Sequence, residues 1–135
     1  MFVGGENFKD ENEVKMLNPL AMAFIGDSIY STFVKSRVLK IFKHKVKDLT
    51  KETAMFVNAR SQKQALFKIM PLLTEAEVDI VKRARNTNIH TKAKNYTIEE
   101  YRHATALEAL VGYLYLSKNL DRLEKLLQEI FREEL

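Results

Sequence analysis

The chain has no cysteine, only two prolines and only four glycines in its 135 residues. Without cysteine, disulfides and cysteine-ligated metal sites are excluded, and an intracellular compartment fits best. So few prolines beside 46% hydrophobic residues argue against a disordered chain. No apolar run approaches the ~20 residues that a transmembrane helix needs, so no membrane partner is expected. The opening stretch, MFVGGENFKDENEV, is acidic and lacks the basic-then-apolar plan of a signal peptide. A cytoplasmic protein is the expectation. A Walker phosphate loop and a dinucleotide glycine motif are both missing. The three histidines, His44, His90 and His103, are scattered, which disfavours a histidine metal centre. Glu100-x-x-His103 occurs once, where di-iron helical bundles need two copies. No serine stands with a histidine and an acid in a way that suggests a hydrolase triad.

What the chain does have is helical patterning and clustered positive charge. Its length suits one domain, with residues 1–16 expected as a flexible lead-in and 17–135 as the packed body. Asn18-Pro19 reads as a cap and first helical residue, opening a helix that ends near Phe42. Leu20, Ala23, Phe24, Tyr30, Val34 and Val38 are its expected apolar face. A second helix is expected over about Val46–Met70, on a stripe of Leu49, Ala54, Val57, Ala65, Leu66 and Ile69, ended by Pro71. Thr74 with Glu77 forms a capping box for a short helix to Arg85, and Thr97 with Glu100 forms another for a helix through Leu116. Leu120–Phe131 is a last amphipathic helix.

The formal net charge is only +4, but between Lys35 and Lys51 seven basic residues face one acid, Asp48. Between Lys82 and Lys94 there are five basic residues and no acid. Two such runs fit a polyanion partner as well as they fit a solvated basic surface. The polar centre Asn58–Lys63 offers amide and cationic donors suited to phosphate or sugar, or equally an exposed helix face. The Asn- and Thr-rich stretch 86–97, with Lys92 and Lys94, is the least helical part and leads straight into the helix over 98–116.

Two acids break otherwise apolar helices. Glu108 lies four residues after Ala104 and three before Val111, and Asp27 lies between Phe24 and Tyr30. Each has a helix-interior glycine beside it, Gly26 and Gly112, although glycine there costs about 1 kcal/mol relative to alanine. One reading is that two helices approach closely and bring the carboxylates together around a hard divalent cation such as magnesium. The other gives each acid its own buried hydrogen-bond or ion-pair partner. A cation-binding carboxylate pair flanked by basic segments suits phosphodiester hydrolysis, because the cation activates water and stabilises charge on the phosphate.

Phe24-Ile25-Gly26-Asp27, Val57–Ala65 (VNARSQKQA) and Glu108-Ala109-Leu110-Val111-Gly112 together resemble the ribonuclease III catalytic domain, most closely its Mini-ribonuclease III subfamily. The resemblance spans about Leu17 to Phe131. It implies an all-α, homodimeric endonuclease domain of about five to seven helices that cuts double-stranded RNA with Mg2+. For this subfamily it implies an endoribonuclease maturing the ends of the 23S ribosomal RNA precursor, stimulated by a large-subunit ribosomal protein. Asp27 and Glu108 carry over as catalytic metal ligands. Full-length ribonuclease III has glutamates in place of Leu20 and Ala23 and an aspartate in place of Thr105, so a leaner metal shell is expected here. No appended RNA-binding domain is expected, so the catalytic domain is expected to grip RNA itself. Asn58, Arg60, Lys63, Arg85, Asn86, Lys92, Lys94 and Arg102 are the expected contacts. The rival readings are a non-catalytic double-stranded-RNA-binding module on the same scaffold, and a helical protein-interaction domain with structural acids.

Overall fold

The protein is described by a computed structural model covering residues 8, 10–42, 45–87 and 95–135. Lys92 and Lys94 lie outside these residues. The described residues form seven α-helices and no strand: α1 (Glu11–Lys15), α2 (Pro19–Phe42), α3 (Val46–Ala54), α4 (Ala59–Ile69), α5 (Glu75–Arg85), α6 (Ile98–Leu116) and α7 (Leu120–Phe131). The all-α expectation holds.

Helix α6 is the axis of the molecule. From Ala109 to Leu116 every residue is buried, so this part is apolar on all sides, as a central helix must be. Helices α2, α4, α5 and α7 pack around it. Leu107 and Leu110, both fully buried, each contribute roughly 1.5–3 kcal/mol by leaving water. The starts of α5 and α6 follow from their sequences. Thr74 and Glu77 exchange side-chain and backbone hydrogen bonds, as do Thr97 and Glu100, so both capping boxes form. The first turn of α2 is capped by Asn18, whose Oδ1 accepts from the Leu20 N–H at 2.8 Å.

Three expectations are corrected. The helix expected over Val46–Met70 is two helices, α3 and α4. The physical reason is Asn58. Its Oδ1 accepts from the Ser61 N–H at 2.9 Å, while its Nδ2 donates to the carbonyls of Ala54 at 2.9 Å and Met55 at 3.2 Å. One side chain therefore closes α3 and opens α4. A 3-10 turn, Met70–Leu72, then carries Pro71. Second, the buried face of α2 runs through Met22, Ala23, Gly26, Tyr30, Val34 and Val38, while Leu20 and Phe24 face outward. The four-residue series from Met22 sets the face, and Leu20 and Phe24 lie off it. Third, Ala54 is exposed and Leu49 and Val57 are only half-buried, since α3 touches the body less than α4 does.

Within the segment expected as a lead-in, Glu11–Lys15 form α1. Val14 is fully buried, and the Tyr113 hydroxyl donates to the Glu11 carboxylate. Arg83 donates to the carbonyls of Lys15 at 2.9 Å and Leu17 at 3.3 Å, tying α1 to α5.

Candidate active site

The site begins with two glycines. A β-carbon added to Gly26 would sit 1.7 Å from the Glu108 carbonyl oxygen and 2.9 Å from the Gly112 nitrogen. One added to Gly112 would sit 1.9 Å from the Met22 carbonyl oxygen. Backbone therefore lies against backbone where α2 crosses α6, and only hydrogen fits between. Asp27 follows Gly26 directly, and Glu108 lies one turn before Gly112. The crossing thus brings the two interrupting acids of the sequence to one place.

Their carboxyl groups come within hydrogen-bonding reach of each other, Glu108 half-buried and Asp27 exposed at the lip. Burial, then the hydrogen bond and charge of Asp27, push the Glu108 carboxyl up to about 8, and a hydrogen bond from Gln62 partly opposes this. The Gln62 Nε2 donates to Glu108 Oε2 at 3.4 Å from α4. Gln62 is buried. Behind the pair, Tyr30 packs its ring on Phe131 at 5.8 Å. Burial, then the charges of Glu134 and Glu108, raise its phenol above the usual range.

Two acidic oxygens this close repel unless a proton or a cation lies between them. An oxygen donor set of this kind fits a hard divalent cation that completes its shell with water and phosphate. Among the described residues no group of three or more His, Cys, Asp or Glu side chains gathers to hold a metal, so the set is lean.

The expected RNA contacts fall into separate groups. Asn58 spends its side chain on the α3–α4 break. Arg60 Nε pairs with Glu100 Oε2 at 2.8 Å and its guanidinium lies 5.3 Å from the Tyr96 ring centre. Lys63 Nζ pairs with Glu99 Oε1 at 2.8 Å and lies 5.5 Å from the Phe67 ring centre. The Thr97 N–H and then Arg60 hold Glu100 below the usual carboxylate range. Arg60 and Lys63 thus bridge α4 to the first turn of α6, and Arg102, farther along α6, is exposed. Arg85 is half-buried at the end of α5 and Asn86, its C-cap, is exposed. Gln62 is the residue that the sequence did not single out for the acid pair. Its position one turn before Leu66 on the buried face of α4 was the available signal.

Comparison with known proteins places the chain and its fold. The family model described as "Ribonuclease III domain" matches residues 20–119. The chain is 40% identical over 124 residues to a Mini-ribonuclease 3 of Staphylococcus aureus, covering 90% of this chain and 92% of that protein. It is 42% identical over 116 residues to a Mini-ribonuclease 3 of Brevibacillus brevis, covering 86% and 87%. A crystal structure of a Fusobacterium nucleatum protein superposes with a TM-score of 0.82 at 34% identity, covering 90% of this chain and 98% of that one.

Proposed function

The chain belongs to the ribonuclease III family, on the branch of the Mini-ribonuclease 3 relatives, and from that premise we propose a magnesium-dependent double-stranded-RNA endonuclease acting at Asp27 and Glu108. That it is an endoribonuclease follows from the family. The observation that carries the rest is the contact between the two carboxyl groups at a crossing built for it by Gly26 and Gly112.

Asp27 and Glu108 would hold the cation, and when bound it supplies Lewis-acid stabilisation of charge developing on the scissile phosphate. The chain's own residues do the remainder. The α2–α6 crossing fixes both acids on rigid helices rather than loops. Arg60, Lys63, Arg85, Asn86, Lys92, Lys94 and Arg102 grip the duplex through phosphates and 2′-hydroxyls, because A-form RNA hides its base edges in a deep, narrow groove. Asn58 contributes by setting the direction of α4. The substrate in the cell is a duplex stem of the 23S ribosomal RNA precursor, with a large-subunit ribosomal protein as stimulator; no helix of the described residues is long and apolar enough to cross a membrane.

The active form is a homodimer. Phe24 is 77% exposed on α2, two residues before Gly26, with Leu20 one turn behind it. A cavity of about 490 Å3 opens on the same chain, with Tyr30, Phe56 and Phe131 on its walls beside the polar Gln64, Lys68 and Glu134. An exposed aromatic on one copy and an open cavity with aromatic walls on the other would let a two-fold pair be self-complementary.

The test is cleavage of plain duplex RNA with and without Mg2+. Asp27→Asn and Glu108→Gln are expected to fold, to bind duplex RNA and to lose cleavage by at least about a hundredfold. Wild-type rates in either variant would remove the site. Binding without cleavage by the unmutated protein would make it a non-catalytic RNA-binding module, and no RNA binding would leave a protein-interaction domain.

A further inference from the structure

Among the described residues Gln62 is the only buried side-chain amide, 5% exposed on the inner face of α4. A buried amide is costly unless its polar atoms are bonded. Its nitrogen spends a hydrogen on one oxygen of Glu108. The helix that carries it is held against α6 by two ion pairs, Arg60 with Glu100 and Lys63 with Glu99. Gln62 therefore reaches Glu108 from a helix clamped to α6, and approaches it from a different helix than Asp27 does.

We infer that Gln62 is a positioning residue: its amide holds the Glu108 carboxylate in one orientation beside Asp27, shaping the pair to take a divalent cation. The choice of an amide has a physical reason. A lysine or arginine there would also hold the carboxylate, but its charge would neutralise Glu108 and compete with the cation. A neutral donor orients the oxygen and leaves the negative charge in place. Bound ligands are commonly held this way by outer hydrogen bonds.

The inference rests on the reading of Asp27 and Glu108 as cation ligands, and the experiment separates the two. Mn2+ is titrated calorimetrically into the RNA-free full chain, unmutated and as Gln62→Met, which keeps the side-chain length and removes the donor. Gln62→Met is expected to retain its helical circular dichroism and to bind Mn2+ about tenfold or more weakly. Wild-type Mn2+ affinity in the folded variant overturns the role of Gln62 alone. Absence of Mn2+ binding by the unmutated protein overturns the cation reading and this inference with it. Gln62→Ala serves if Gln62→Met fails to fold, with the same expectation. A measurement on the unmutated protein needs no variant at all: the Gln62 side-chain amide resonance is expected to shift along the isotherm of added Mg2+. A resonance that stays still overturns the proposal.

Discussion

The Glu108 carbonyl oxygen lies where a β-carbon on Gly26 would have to go, 1.7 Å from it. This contact is backbone against backbone, so neither partner can rotate away. It fixes how far α2 stands from α6, and through that distance it fixes the separation of the two acid side chains that flank it. The glycine pair is therefore part of the site as well as of the core.

Gly26→Ala and Gly112→Ala are each expected to destabilise the protein strongly. Ordinary overpacking costs about 1–3 kcal/mol, and here the obstacle is backbone, so the loss should reach at least about 3 kcal/mol. Urea unfolding followed by circular dichroism measures it. A change below about 1 kcal/mol in either variant would mean that the helices can separate without consequence.

The raised Glu108 group makes stability depend on pH. Its folded value is about 8, against about 4.3 in an unfolded chain. Between those values the folded state keeps a proton that the unfolded state releases, so stability falls as pH rises. In EDTA the melting temperature is expected to fall between pH 5 and pH 8, and Glu108→Gln to flatten that part of the curve. Parallel curves for the two proteins would show that Glu108 is not the titrating group.

Lys92→Ala with Lys94→Ala is expected to weaken duplex-RNA binding without lowering the melting temperature. Each lost phosphate contact should also reduce the slope of log affinity against log salt by about 0.9. Gel-shift titrations at several salt concentrations read both quantities. An unchanged affinity would take these lysines out of the RNA grip.

Phe24→Asp leaves a single chain's packing untouched, because Phe24 faces solvent. It is expected to keep the fold and to shift sedimentation from dimer to monomer. A dimer of wild-type affinity would place the two-fold interface elsewhere.

Much of the fold was legible along the chain, because caps and apolar spacing act over three or four residues. Pro19, the two Thr/Glu capping boxes and the Leu120–Phe131 stripe marked their helices where the structure has them. The break at Asn58 is hidden in the sequence because the apolar helical spacing runs on across it, and its side chain decides the issue by bonding backward and forward at once. Apolar spacing alone puts Leu20 and Phe24 inward because it counts hydrophobic residues without knowing which of them the helix packing leaves exposed.

For the site, the sequence by itself determined that two acids interrupt apolar helices and that each has a glycine beside it, since charge in an apolar stripe and glycine in a helix are both costly and visible in one dimension. Only the tertiary structure decided that those features meet. The contact of Asp27 with Glu108, the reach of Gln62 from α4, and the pairing of Arg60 and Lys63 with Glu100 and Glu99 join residues 36 to 81 positions apart. Such contacts depend on how closely helices cross, and that is set by the backbone approach at Gly26 and Gly112 rather than by any local pattern.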